Sequence, residues 1–448
     1  MNTQQMNKGR ASALLPFIIF LVLFIGSGLL NGDFYKLPVL VAVFIAVLAA
    51  LFMNRKITFQ DKLDHLTKGA GHPNIMLMVI IYLLAGSFSA VAEGVGAVDS
   101  TVNLSLTFVP ENLLIVGLFV ISCFISISMG SSVGTVVALA PIGVGLADQT
   151  GMSTPLILGS IISGAIFGDN LSIISDTTIA AVKTQAVKMN DKFKVNIFIA
   201  LPAAIVTAII FGVMTWDAGG SISGDHPYDL VKVLPYLAVL IFAVAGVNVI
   251  YVLIGGIVFA GAVGLFYSTF DVMEFLNLLG DGMAGMQELA LLSILLGGLV
   301  ELIRVNGGID FLLHVISTRI RSRKGAEAGI AGLVSVFDLS TANNTIAIIS
   351  VGSLAKQISG RFGVDPRRTA SVLDIFASTF QGILPYGAQL LAVAGIASIS
   401  PVSIMPYSIY PVLLGIAGVI AIATGYPRFS TRENNAALND DKQSASEA

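Results

Sequence analysis

The segment Phe167-Gly168-Asp169-Asn170-Leu171-Ser172-Ile173-Ile174-Ser175-Asp176-Thr177-Thr178 sets two carboxylates, a carboxamide and four hydroxyls between strongly apolar stretches. The flanks 157–166 and 179–182 are too short to be two separate spans, because a helix needs about 20 apolar residues to cross a bilayer. The polar run therefore interrupts a single spanning helix. A charge at that depth costs about 2.5–3.5 kcal/mol on insertion scales. Such residues persist where they line a cavity or bind something, so the run reads as a broken helix that carries a site.

Composition extends the constraint to the whole chain. Of 448 residues, 55% are hydrophobic and 11% charged, where a soluble domain carries about 25% charged residues. Lipid leaves only helices and closed barrels as spanning structures. Barrel strands alternate apolar and polar residues, whereas these runs are continuous. The expected fold class is an all-α polytopic membrane protein. Cys123 is the single cysteine, so no disulfide forms within the chain. The first apolar run has no convincing cleavage site and reads as a retained span. The four histidines lack metal-ligand spacing. No enzyme, resident cofactor, structural metal or nucleic-acid partner is expected; the surroundings are the lipid bilayer.

Spans are expected at 11–30, 37–53, 75–92, 195–214, 231–246, 249–266, 289–303 and 405–424. Basic connections (Arg55 to Lys68; Lys183, Lys188, Lys192 and Lys194) alternate with acidic ones (Asp99 and Glu111; Asp217, Asp225 and Asp229). Cytoplasmic loops favour Lys and Arg, which puts both termini in the cytoplasm of a protein of the cell inner membrane. That orientation requires two irregular zones to hold a re-entrant hairpin each, near 113–147 and 326–358. Each hairpin is followed by a broken transmembrane helix, near 155–187 and 367–398. An extracytoplasmic linker is expected at 215–230 and a disordered cytoplasmic tail at 427–448.

The two halves look duplicated. Gly86 and Gly297, Asp99 and Asp310, and Pro155 and Pro366 share one offset of 211 positions. Matching connections carry opposite charge, so the N-terminal repeat (1–214) and the C-terminal repeat (231–426) are expected to be inverted. Inverted repeats with discontinuous helices are a secondary-transporter architecture.

Four polar clusters carry the expected chemistry. Ser131, Ser132 and Thr135 mark one hairpin tip, and Asn343, Asn344 and Thr345 the other. Asp169, Asn170, Ser172, Ser175, Asp176, Thr177 and Thr178 line the first break. Gln381 and Pro385 mark the second, with Asp374 seven residues before Gln381. Oxygen side chains and unpaired carbonyls suit a hard cation such as Na⁺. Helix N-termini at the tips favour a carboxylate. Asp169 and Asp176 are the expected ion- and proton-binding pair. Asp374 reads equally as a proton site or a packing residue. Glu93, Glu288, Glu301 and Asp338 read as interfacial.

The run 168–178 resembles that of the NhaC-type sodium/proton antiporter family, which pairs Gly-Asp with a following Leu-Ser and then Ser-Asp-Thr-Thr. The tip at 130–135, with Pro141 downstream, is similar to that family's Gly-Ser/Thr-rich tip. The resemblance implies inverted repeats with hairpins and broken helices, a homodimer, and elevator-like motion. Two positions depart: the family usually has Lys and Pro where this chain has Asn170 and Ile173, so an internal cation is missing from the run. The tip Asn343-Asn344-Thr345 resembles instead those of sodium/carboxylate carriers. Two functions stay open. One is Na⁺/H⁺ exchange; the other is Na⁺- or H⁺-coupled transport of a small carboxylate solute such as an amino or organic acid.

Overall fold

The computed structural model describes residues 9–31, 37–54, 56–108, 110–172, 175–216, 227–317 and 320–427, and all regular structure among them is helical. The first half runs α1 (Leu15–Asn31), α2 (Val39–Phe52), α3 (Phe59–Ala70), α4 (Pro73–Val95) and α5 (Ala97–Phe108). It continues with α6 (Glu111–Met129), α7 (Ser132–Thr150), α8 (Thr154–Leu171), α9 (Asp176–Gln185) and α10 (Met189–Met214). The second half runs α11 (Leu230–Val244), α12 (Val249–Phe266), α13 (Val272–Gly285), α14 (Gln287–Val305) and α15 (Gly308–Ser317). Then come α16 (Arg323–Thr341), α17 (Asn344–Phe362), α18 (Pro366–Gln381), α19 (Ala388–Ala397), α20 (Pro401–Ile404) and α21 (Ile409–Thr424). Among the described residues, six helices are long and apolar enough to cross a membrane, or seven if the bent pair Ala388–Ala397 and Pro401–Tyr407 counts as one.

Each expected span overlaps a helix, but of the six membrane-length helices only three, Ile75–Val95, Met189–Met214 and Val249–Phe266, fall on expected spans; the other three lie in the first irregular zone. Each irregular zone holds a helix pair followed by an interrupted helix. The last span differs. It begins at Ile409, after a short 3₁₀ turn at Met405–Tyr407, and not at Met405. Pro406 has no N–H to donate and Ser408 leaves the helical region, so the chain bends before it spans. Segments taken as charged connections are also helical. Asp61 N–H donates to the Thr58 hydroxyl at 3.1 Å, which caps α3, and Glu274 N–H donates to Asp271 at 2.8 Å, which caps α13. Most of the expected linker and nearly all of the expected tail lie outside the described residues.

Glycines set the close crossings. A Cβ on Gly86 would sit 2.1 Å from the Gly282 carbonyl oxygen, and one on Gly282 would sit 2.3 Å from that of Gly86. Gly69 and Gly297 approach each other in the same reciprocal way, so α4 meets α13 and α3 meets α14 backbone to backbone. On α8, a Cβ on Gly164 would meet the Phe119 carbonyl oxygen at 2.3 Å, and one on Gly168 the Ser126 Cβ at 2.4 Å. The first broken helix thereby lies flush on the hairpin arm α6, and the Ser126 hydroxyl donates to the Ala165 carbonyl at 2.5 Å. Gly168→Ala must push these helices apart. Overpacking of this kind costs about 1–3 kcal/mol, so the melting temperature in detergent drops and transport falls with it. A melting curve that superimposes on wild type would contradict this packing.

Candidate functional site

Both hairpins turn on a single left-handed residue. Gly130 (φ 65°) ends α6, and its N–H bonds the Ser126 carbonyl at 2.9 Å. Ala342 (φ 49°) ends α16, and its N–H bonds the Asp338 carbonyl at 2.8 Å. The next residue caps the returning helix: the Gly134 N–H donates to the Ser131 hydroxyl at 3.1 Å, and the Ile346 N–H to Asn343 Oδ1 at 2.9 Å. The tips are thus built by the Ser and Asn side chains that free helix N-termini select.

The tips and breaks converge on a cavity of about 100 Å³. Its walls include Ser131, Ser132, Asp169, Asp176, Thr177, Asn343, Asn344, Thr345 and Gln381. Gln389 and the α4 residues Leu77, Met78 and Ile81 also line it, and these the sequence reading missed. The cavity suits a cation with some water, or a small solute; pockets for drug-sized ligands run about 300–1,000 Å³. Four helices (α7, α9, α17 and α19) present their N-terminal residues to it, whereas α8 and α18 bring their last turns. Positive and negative helix ends therefore meet at one place.

A chain of hydrogen bonds crosses the site. The Gln381 carboxamide donates to Gln389 Oε1 at 2.8 Å, Gln389 Nε2 donates to the Ser132 hydroxyl at 2.8 Å, and that hydroxyl donates to Asp169 Oδ2 at 2.6 Å. The Ser175 hydroxyl donates to Asp169 Oδ1. Asp169 is 5% exposed, and among the described residues it forms no salt bridge. Asp176 opens α9 and is exposed to the cavity.

Behind the cavity lies a second centre. Lys192 of α10 is 1% exposed and forms a salt bridge with Asp374 of α18. It also donates to the Asn170 carbonyl at 2.6 Å and the Thr178 hydroxyl at 2.7 Å. Asp374 Oδ2 accepts from Asn170 Nδ2 at 2.8 Å and Asn196 Nδ2 at 3.2 Å. Asp374 is therefore held in an ion pair between the two halves. A buried cation, Lys192, thus reaches the Asn170 carbonyl from another helix.

The other expected residues take supporting places. The Ser172 hydroxyl donates to the Ile127 carbonyl at 2.7 Å and ties the break to the hairpin arm. The Thr135 hydroxyl returns to the Ser131 carbonyl at 2.9 Å. Pro385 is buried in the turn between α18 and α19. Asp338, expected at an interface, is instead fully buried, because its helix faces α17 and α18 at that level. Glu93 and Glu288 are exposed, and Glu301 pairs with Arg304 at 2.5 Å.

Residues 11–216 and 229–427 match the Na⁺/H⁺ antiporter family. The chain is 25% identical to the malate-2H⁺/Na⁺-lactate antiporter of Bacillus subtilis, over 90% of this chain and 92% of that one. It is 24% identical to the Na⁺/H⁺ antiporter NhaC of the same organism, over 79% and 83%. Among solved structures, the YdaH transporter of Alcanivorax borkumensis aligns with 93% of this chain and 99% of its own, at 13% identity and a TM-score of 0.41. The chain is a multi-pass membrane protein and a secondary transporter rather than an enzyme, and it belongs to the Na⁺/H⁺ antiporter family.

Proposed function

We propose that this chain exchanges Na⁺ for H⁺ across the inner membrane by alternating access, with Asp169 and Asp176 taking the cation and the proton in turn. The observation that carries this reading is the unequal treatment of two buried carboxylates. Asp374 is neutralised by Lys192, whereas Asp169 at the cavity wall has only hydroxyl donors. A buried carboxylate without a counter-charge is costly, and Na⁺ or a proton supplies what the protein withholds. Nearby hydroxyl oxygens of Ser131, Ser132 and Thr177 suit a hard cation. The shared helix order of the halves supports two repeats, 1–214 and 231–426; the opposite charge of matching connections supports their inversion, with both termini cytoplasmic.

A second reading draws on the four helix N-termini at the cavity. Together with Asn343, Asn344 and Thr345 they would hold the carboxylate of a small solute beside the coupling ion. The relative named for malate and lactate supports this reading. Proteoliposomes with an internal pH dye separate the two. For exchange, a sodium gradient alone moves protons. No response until a short organic acid or amino acid is added would replace exchange with solute transport.

A further inference from the structure

Buried acids elsewhere in the described residues are answered by partners. Asp169 has Ser132 and Ser175, Asp374 has Lys192, Glu327 has Arg368 at 2.6 Å, and Asp365 has Arg367 at 2.8 Å. Asp338 differs. It is 0% exposed, and no side chain among the described residues donates to either carboxylate oxygen. It stands on α16, one turn before the second hairpin tip, beside the backbone of Gln381 where α18 ends.

The charges on the helices packed against α16 are placed elsewhere. On α16 itself, Arg323, Lys324 and Glu327 lie about 16 Å or more down the axis, at 1.5 Å per residue, and Glu327 pairs with Arg368 of α18. On α17, Lys356 and Arg361 lie about 18 Å or more beyond the tip. On α18, Arg367 and Arg368 stand at the far end, and Asp374 is committed to Lys192. On α14, Glu301 and Arg304 pair with each other and Glu288 is exposed. Asp310 and His314 lie on α15, which leads into the opposite end of α16, and α21 carries no charge. The ionisable neighbour is Tyr386, whose hydroxyl donates to the Leu339 carbonyl at 2.8 Å.

We propose that Asp338 binds and releases a proton during the transport cycle, at a site separate from Asp169 and Asp176. A proton fits this enclosure, whereas a metal cation needs several ligands, and among the described residues Asp338 belongs to no group of three or more acid, His or Cys side chains. The neutral acid has an O–H to give. At the end of α18 the Ser378 carbonyl accepts from Gly382 and the Phe380 carbonyl from Ile383 and Leu384, so the Gln381 carbonyl, beside Asp338, is where it can go. The ionised form can only accept and calls for water. Loading the proton therefore seats the second hairpin arm on its break, and releasing it loosens that contact. At the matching junction of the first half, the Ser172–Ile127 hydrogen bond closes the same gap without a titrating group.

The source of the proton rests on the exchange proposed above, so the test has an arm that does not. A buried carboxylic acid shows an infrared C=O stretch above the amide band, and an ionised one does not. In the purified full chain, Asp338→Asn is expected to remove such a band near neutral pH, and Asp374→Asn to leave it. In proteoliposomes, Asp338→Asn keeps radiolabelled Na⁺/Na⁺ exchange and loses sodium-driven proton movement, and Asp338→Glu recovers part of it. A carboxylic-acid region unchanged by Asp338→Asn, or proton movement at the wild-type rate, overturns the inference. If wild type itself moves no protons on sodium, exchange is refuted, and the spectrum still decides Asp338.

Discussion

Asp169→Asn abolishes sodium-driven proton movement in proteoliposomes while the protein still folds. The fold survives because both donors to Asp169 are hydroxyls, Ser132 and Ser175, which can rotate to meet an amide. The volume hardly changes and no buried cation is orphaned. Under the proposed exchange, function is expected to be lost, because the cavity loses the charge that would answer Na⁺. A unit charge about 2.5 Å from a cation is worth roughly 6–7 kcal/mol at an effective dielectric of about 20. Desolvation takes back part of that, and a remainder of only about 3 kcal/mol still weakens binding by more than ~100-fold. The check is dye-reported proton movement against sodium concentration, with a melting curve as the folding control. Asp176→Asn, at an exposed position on the same cavity, has the smaller effect. Activity preserved in both variants would remove the carboxylate pair from the mechanism.

Lys192→Met gives the largest loss of stability. The replacement keeps the length of the side chain and deletes its charge, leaving the Asp374 carboxylate, the Asn170 carbonyl and the Thr178 hydroxyl without their shared donor. Breaking a buried ion pair from one side costs about 3–5 kcal/mol. Asn170 and Asn196 still donate to Asp374, so the lower end is expected here, about 3 kcal/mol. Adding Asp374→Asn removes the stranded charge and recovers much of the loss. Denaturant titrations of the two single variants and the double variant measure this coupling. Strictly additive losses would show that the pair contributes nothing as a pair.

Much of this was legible because backbone rules are local. Gly130-Ser131 and Ala342-Asn343 announce turns through residues that cap the following helix. Asp169 to Thr178 announces a break because so many polar groups cannot sit on a lipid-facing helix. The convergence of tips and breaks on one cavity follows once those elements are placed. What stayed hidden depends on distance across the fold. Lys192 sits among Lys183, Lys188 and Lys194, and a lysine at the start of a span is ordinarily solvated, so it was counted as part of a basic connection. Its spacing of four from Asn196 was the available signal, since both fall on the face of α10 that buries Ala200 and Ala203. The missing lysine at position 170 was another. Gln389 was overlooked as one amide in an apolar helix, and Asp338 because a lone acid near a span end is usually wet. Burial of that kind is set by neighbours on other helices: for Lys192 and Gln389 these lie more than a hundred positions away, and for Asp338 on the two helices that follow its own.

The ion pair also bears on how the molecule is made. Its members belong to opposite halves of the chain: Asn196, one turn from Lys192, stands 178 positions before Asp374. At about 5–20 residues per second, ribosomes complete the second partner roughly ten to forty seconds after the first. Over that interval the newly made first half carries Lys192 without its Asp374 partner, near the start of α10 where the head can reach the membrane surface. The ion pair between α10 and α18 therefore closes only after α18 has been made, a late event in biogenesis, and any chain terminated before it keeps Lys192 without that partner.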